Sequence, residues 1–343
     1  MKKKYLDYVL DELKKLIAID SPASFTDACA EYVRNELARL GYDASLTKKG
    51  GAFVCLGGEG NAVMLYAHID TIGAMVRHIK PNGRIEMVRI GGANQNSIEA
   101  NDVKVYTRDG RTYTGTVQLV NASVHANPAS RDGTMRSWEN LEIILDEDVN
   151  SKEETEALGI EKGCIVAFDP KFKITDSGYI KSRFLDDKAL VAIVLGFAKY
   201  LKEEKIKLLR KVYVHFSCYE EIGHGVGGIM PEDTTEVLSL DMGCVGDATD
   251  GSEKKVSICC WDLGGPYDNR TTTNIVNAAK RAGVDYSVDV YPNYSSDSDE
   301  AVTMYDVRHA LFGPGIYASH GYERGHIDGI KNTFDLLVSY LSS

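Results

Sequence analysis

Val63-Met64-Leu65-Tyr66-Ala67-His68-Ile69-Asp70-Thr71 is the stretch whose reading decides the fold. An unbroken apolar run passes straight into His-x-Asp, the pattern of a buried strand that delivers polar side chains at its carboxyl end. In an open α/β sheet, ligands collect outside such ends. His68 and Asp70 are two residues apart, so on a strand they face the same side. A neutral imidazole can bind a metal through one ring nitrogen while the other donates to a carboxylate, which fixes the tautomer. Alone, His-x-Asp is a weak signal, and its weight depends on what the other strands end in.

Upstream, apolar residues at Leu6, Val9, Leu10, Leu13, Leu16 and Ile17 predict an amphipathic helix over 3–19. Ser24 reads as the N-cap of a second helix through Leu40, with Gly41 as its stop. Short strands at 42–47 and 52–56 and the Gly57–Asn61 turn lead into the central stretch. Downstream the texture changes. Residues 72–173 show short β-rich runs punctuated by Pro81-Asn82-Gly83, Asp109-Gly110 and Asp132-Gly133, with one short acidic helix candidate at 151–158. Segregated β content signals a separate domain. We expect residues 1–71 plus 174–343 to form one α/β domain, with 72–173 as an inserted all-β domain. From 174 the α/β pattern resumes: a helix after Asp186-Asp187, strands near 212–216, 237–240, 256–260 and 285–290, a helix near 271–282 and a last helix at 327–341.

The chain has 343 residues, enough for two domains with ample cores. Hydrophobic content of 43% and charged content of 26% describe an ordinary globular protein. A net charge of −11 argues against nucleic acid and anionic membrane surfaces as partners. No apolar run approaches the ~20 residues that span a bilayer. Charges at Asp7, Asp11, Glu12, Lys14 and Lys15 interrupt the segment after the opening lysines, so no signal peptide is expected. Seven cysteines, odd in number and without Cys-x-x-Cys spacing, read as buried reduced thiols of a cytoplasmic protein.

Acids or histidines recur where apolar strands stop: His68 with Asp70, Asp186 with Asp187, Glu220 with Glu221, and Asp241. A later group holds Asp297, Asp299, His320 and His326. Each has a bland reading: Asp186-Asp187 as a helix N-cap, Glu220-Glu221 as a solvated turn, Asp241 as a loop cap. Recurrence at successive strand ends is what those readings leave unexplained, because clustered carboxylates repel unless a cation is present. Mixed His and carboxylate donors suit zinc, or cobalt or manganese, better than calcium.

Ala67-His68-Ile69-Asp70, Leu185-Asp186-Asp187-Lys188, Tyr219-Glu220-Glu221-Ile222-Gly223, Leu240-Asp241-Met242-Gly243 and a late His together resemble the tetrahedral aminopeptidases of metallopeptidase family forty-two, which includes glutamyl and deblocking aminopeptidases. Order and spacing match over essentially the whole chain, including the β-rich insertion after His-x-Asp. The resemblance implies a mixed sheet sandwiched by helices, of the zinc-dependent exopeptidase kind. It implies two divalent metal ions per subunit, zinc first with cobalt or manganese as alternatives. His68 would bind one metal and Asp70 would orient it. Asp186 would bridge both, through a strained bond, open to the cis form, to Asp187. Glu221 would bind the second metal, Asp241 the first, and Glu220 would be the general base acting on a metal-bridged water. The late His completes the second metal's shell. Peptides would be the substrates, and self-association through the inserted domain, up to a dodecamer, would form the particle.

Two departures from the family pattern stand out. The usual His-Ser-Pro-x-Glu becomes Ser319-His320-Gly321-Tyr322-Glu323, one residue shorter between His and Glu, and a second candidate, His326, comes after it. Counting back from the last helix favours His320, after Phe312–Tyr317 read as a strand end and turn. The basic residue after the acid pair is Lys188 rather than Arg. His78, His125, His215, His224 and His309 match no ligand position. Substrate-binding residues are not identifiable; the loops near 222–230, 243–253 and 291–299 are where they would lie. The alternative enzyme is a co-catalytic zinc deacylase or dipeptidase acting on an N-acyl amino acid or dipeptide, against which the position of the insertion argues. A metal-binding scaffold without catalysis is the alternative of another class, and Glu220 argues against it, because a scaffold needs no base beside its ligands.

Overall fold

Strand Ala62–His68 is buried at all seven positions in the computed structural model. The structure describes residues 1–227 and 229–342; Gly228, inside the 222–230 loop, and Ser343 lie outside the described residues. On one side the strand pairs in parallel with Val212–Ser217, and on the other with Thr234–Leu240. Thr234–Leu240 in turn pairs in parallel with Arg308–Tyr317. Four parallel strands thus run side by side, which explains the continuous apolar run: both faces of the central strand need cover. Met64 and Tyr66 pack with Val226, Val237 and Ala301, while helix Leu185–Glu204 also packs on the strand. Burying each such apolar side chain stabilises the fold by ~1.5–3 kcal/mol.

Antiparallel strands flank this parallel centre, making the sheet mixed. Ala52–Gly57 pairs with Val212–Ser217, and Val256–Asp262 with Arg308–Tyr317. Beyond them, Tyr179–Ser182 pairs with Glu323–His326. Helices Lys3–Ile17 and Ile327–Leu341 pack on Leu185–Glu204, whose residues from Leu185 to Ala198 are all buried. Gly196 is required there: a Cβ at that position would lie 2.3 Å from Val9 Cγ2. Among the described residues no helix is long and apolar enough to cross a membrane.

By its internal contacts the chain divides into Met1–Asp70 together with the chain from Lys171 onward, and Thr71–Pro170. The second unit is a closed barrel in the order Gly73–Ile79, Ile85–Ile90, Leu141–Leu145, Thr112–Leu119, Asp102–Tyr106 and Ile165–Phe168. Alternating inward residues, among them Val103, Val105, Val117, Leu119, Ile143 and Phe168, fill it. Closure removes the free edges that a lone sheet of this size would expose.

Several local expectations need correction. The second helix is Asp27–Arg39, not a helix capped by Ser24, which has a left-handed backbone with φ of 78°. Asp132-Gly133 is the end of a short helix, Ala129–Asp132, rather than a strand turn. The strand before His320 runs on through Pro314 to Tyr317. The 243–253 region begins with strand Gly243–Val245, and the 291–299 region ends in helix Asp297–Met304. All seven cysteines are free thiols, but only Cys29, Cys164, Cys218 and Cys259 are buried; Cys244 and Cys260 are half-buried and Cys55 is exposed.

Candidate metal centre

The four parallel strands end at one edge of the sheet, and each delivers a polar group there. Ala62–His68 ends in His68 itself, Val212–Ser217 is followed by Glu220 and Glu221, Thr234–Leu240 by Asp241, and Arg308–Tyr317 by His320. Asp186 and Asp187 enter ahead of the regular part of helix Leu185–Glu204, both with non-helical dihedrals and joined by a cis peptide bond. Their helix-cap reading fails on hydrogen bonding: Asp187 Oδ2 accepts the His68 backbone N–H at 3.0 Å.

Asp186 stands between two imidazoles. Its Oδ1 lies 3.1 Å from His68 Nε2, and its Oδ2 lies 3.5 Å from His320 Nε2. Glu221 Oε2 lies 3.3 Å from His320 Nε2. His68, Asp186 and Glu221 offer donor atoms within 4.8 Å of one another, as do His68, Glu220 and Asp241, and Asp186, Asp187 and Asp241. Asp187 Oδ1 is buried without a hydrogen-bond partner. Lys188, directly beside this acid pair, spends its ammonium on the carbonyls of Leu16 and Ile19. His68, Asp186, Asp187 and Asp241 are buried, and Glu220, Glu221 and His320 are partly exposed at the open side; two imidazoles and several carboxylates, one oxygen of the set orphaned, fit a divalent cation by donor chemistry.

The surrounding hydrogen bonds fix these donors. His68 Nδ1 lies 2.9 Å from the Asp70 carbonyl oxygen and 3.6 Å from Asp70 Oδ1, so the main chain rather than the carboxylate sets the tautomer and leaves Nε2 facing Asp186. The strand ends at His68, and Asp70 lies beyond it. Its carboxylate instead accepts the backbone N–H groups of Glu220 (3.1 Å) and Glu221 (3.2 Å). Asp241 accepts the Met242 N–H at 2.7 Å and the Ser296 hydroxyl at 2.6 Å. Gly313 is required where its strand passes this residue, because a Cβ there would lie 2.0 Å from the Asp241 carbonyl oxygen.

Glu323 is a residue that the sequence undersold. It accepts the N–H groups of Leu185 (2.7 Å), Asp186 (3.2 Å) and His320 (3.2 Å), tying two parts of the site together. Arg324 pairs with Glu253 at 3.5 Å and covers the Tyr179 ring. Phe184, Tyr219 and His320, each at or within two residues of a site residue, have left-handed backbones with φ of 68°, 72° and 61°. Such non-glycine strain costs ~1–3 kcal/mol per residue and concentrates at functional sites.

The electrostatics are those of crowded acids. Burial, reinforced by Asp241, Asp297 and Glu221, holds the Glu220 carboxyl well above its ordinary range. Burial likewise pushes Glu221 up to about 8 and Asp241 up to about 6. Burial also acts on Asp186, but His320 and His68 outweigh it and lower its pKa. On the imidazoles, burial opposes the charge and loses to the acids: His68 is raised by Glu220, Asp186 and Asp70, and His320 is raised to about 10 by Asp186 and Glu221. The site has more negative charge than its two imidazoles balance.

The late group expected from sequence is not one cluster. His320 joins the centre, whereas His326 is the N-cap of helix Ile327–Leu341, its Nδ1 accepting the Asp328 N–H and its Nε2 lying 3.0 Å from the Ser177 carbonyl. Both ring nitrogens are thus engaged away from the centre. Asp297 takes the Ser217 hydroxyl, and Asp299 belongs to a separate pair with Asp262. His215 is a buried strand residue, and His224 is an exposed loop residue stacked on Tyr219.

Comparison with known proteins identifies the family. Residues 50–336 match the M42 glutamyl aminopeptidase family. The aminopeptidase candidate YhfE of Bacillus subtilis (strain 168) is 40% identical over 337 residues, 97% of each chain. The lysyl aminopeptidase of Pyrococcus furiosus is 29% identical over 181 residues, covering 53% of this chain and 50% of its own. Among solved structures, the aminopeptidase APDkam598 from the archaeon Desulfurococcus kamchatkensis superposes with a TM-score of 0.86 at 21% identity, over 98% of this chain and 95% of its own. The Pyrococcus horikoshii TET1 peptidase, which can assemble into a tetrahedron or a large octahedral shell, gives 0.85 at 20% identity over 96% and 98%. The two structures share the mixed α/β fold, and the sequence matches carry the relationship further: the chain belongs to the M42 glutamyl aminopeptidase family and is a peptide hydrolase of the aminopeptidase kind.

Proposed function

We propose that this chain removes amino-terminal residues from peptides at a dinuclear metal centre with Glu220 as general base. One observation carries the reading: the two oxygens of Asp186 face different imidazoles, His68 and His320, as a bridging carboxylate requires. His68 and Asp241 would complete one site, and Glu221 and His320 the other. Two divalent cations, zinc by donor set with cobalt or manganese as substitutes, would supply Lewis acidity to the scissile carbonyl and to water. The chain's own residues do the rest. Glu220, partly buried and held at a high pKa by neighbouring acids, is built to take a proton from the attacking water and return it to the departing amine. Asp70 holds Glu220 and Glu221 through their backbones, so that base and ligand keep a fixed relation.

Both nitrogens of His326 are engaged away from the centre, which supports His320 as the late ligand. His320→Ala should strip one metal and abolish hydrolysis of aminoacyl chromogens, whereas His326→Ala should keep both metals and most activity. Metal analysis beside the chromogen assay tests this, and reversed phenotypes would overturn it.

Self-association forms part of the same reading. The family's solved relatives include a dodecamer and tetrahedral or octahedral shells. The barrel of Thr71–Pro170 closes without contributing a strand to the catalytic sheet, which leaves it available as an assembly module. Light scattering should give a homo-oligomer of up to twelve subunits; a monomer at micromolar concentration would contradict the proposal.

A further inference from the structure

Asp262 and Asp299 form a second acid pair, outside the proposed ligands. Asp262 closes strand Val256–Asp262, and Asp299 is the third residue of helix Asp297–Met304. Asp262 is 1% exposed; it accepts the Tyr267 hydroxyl at 2.5 Å and the Gly264 N–H at 2.8 Å. Asp299 Oδ2 accepts the Ser296 N–H at 3.2 Å. Both acids border Gly264: a Cβ built there would lie 2.9 Å from Asp299 Oδ1 and 3.3 Å from Asp262 Oδ1. The imidazole facing the pair is His309, with Nε2 4.0 Å from Asp299 Oδ1, and burial draws His309 toward its neutral form against the pull of Asp262 and Asp268. Arg308, the guanidinium beside it, is paired with Asp268 at 2.6 Å. The Cys259 thiol and Asp241 complete the titratable surroundings.

Two neighbouring carboxylates repel when both are ionised, whereas one proton between them satisfies every partner. Asp299 then donates from Oδ1 to Asp262 while Oδ2 accepts from the Ser296 N–H. Ser296 and Asp299 form a capping box, so the Ser296 hydroxyl accepts the Asp299 backbone N–H and has only its own proton to give. It gives that proton to Asp241 Oδ2 at 2.6 Å. A hydrogen-bonded chain of fixed direction therefore runs from Asp241 through Ser296 and Asp299 to Asp262 and Tyr267.

We propose that Asp299 is a positioning residue of the hydrolytic site: kept as a neutral acid by Asp262, it locks Ser296 so that its hydroxyl orients Asp241. This rests on Asp241 being a metal ligand. Burial first, then contact with Asp262, pushes the Asp299 carboxyl up to about 8, so the lock is closed at neutral pH and opens as the proton leaves in mildly alkaline solution. The pair then carries two negative charges, and the capping box gives way.

The test uses Asp299→Asn and Asp299→Ala. An asparagine amide can donate to Asp262 while its oxygen accepts from Ser296, so Asn mimics the neutral acid and cannot ionise. Asp299→Ala should lower kcat/KM ~10–100-fold, as loss of a ligand's hydrogen-bonded support does. Asp299→Asn should recover most of that loss and remove the alkaline fall of the wild-type pH profile near pH 8. Infrared difference spectra of the metal-free proteins give a readout independent of turnover. Glu220 and Glu221 also absorb as protonated carboxyls in the metal-free protein, so the readout is the difference between wild type and variant: one band present in wild type at neutral pH and bleached as the pH passes about 8 should be missing from Asp299→Asn. If Asp299→Ala does not fold, the Asn profile and the spectra still decide. Asp299→Asn that keeps the wild-type alkaline fall, or keeps the band, overturns the proposal. Metal content of the same preparations separates the two readings. Two ions in wild type with an overturned Asn result removes this inference alone, whereas a fully active wild type without ions removes the reading of the centre itself.

Discussion

Asp186→Asn is expected to lower turnover by ~10³-fold or more, because several kcal/mol of metal-derived stabilisation would vanish with one side chain. An amide presents one oxygen and one NH2 group, so it can face His68 or His320 as an acceptor but not both. Metal content should fall from two ions to fewer than one per chain, since neither site keeps its shared anionic ligand. The same substitution removes a charge from a group of acids that burial already pushes toward protonation, Glu221 to about 8 and Asp241 to about 6. Asp186 is, however, the acid whose charge His320 and His68 favour, its pKa lying below the ordinary range, so thermal unfolding of chelator-treated protein at neutral pH should occur lower for the variant than for wild type. A variant that loses activity while keeping two ions would show that Asp186 does not bridge.

Glu220→Gln should cost ~10²–10⁴-fold in kcat with both metals retained, because glutamine keeps the shape of the side chain and cannot take the proton. The prediction is sharp because the geometry supplies a rival. Glu220 Oε2 lies 3.6 Å from His68 Nε2, and Glu220 shares a donor cluster with His68 and Asp241. Were Glu220 a ligand, the substitution would remove metal and activity together and leave Glu221 as the base. Parallel measurement of metal content and kcat on Glu220→Gln and Glu221→Gln decides between the assignments.

Much of this organisation is legible in the sequence because the centre is built on parallel strands. A strand buried on both faces must be apolar throughout, so its polar terminus stands out, and His68, Glu220–Glu221 and Asp241 each come after such a run. His320 is reached by counting back from a helix whose apolar stripe is unambiguous. Glu323 is not, since its three N–H partners lie at 185, 186 and 320, and no local pattern announces a contact across 138 residues. Ser296 is hidden for the same reason: it meets Asp241 across 55 residues. Helix Asp297–Met304 reads as loop because it is only eight residues long, with an acidic first turn and Ala301 as its one buried apolar residue. His326 looks like a rival ligand because spacing alone does not reveal that a helix N-terminus and the Ser177 carbonyl already occupy its two nitrogens.

The most direct test of the dinuclear centre is elemental analysis of protein purified without chelator, titrated with zinc, cobalt or manganese while aminopeptidase activity is followed. Activity should rise with loading and level off at two ions per chain, and chelation should abolish it. Full activity in protein that holds no divalent metal would contradict the account.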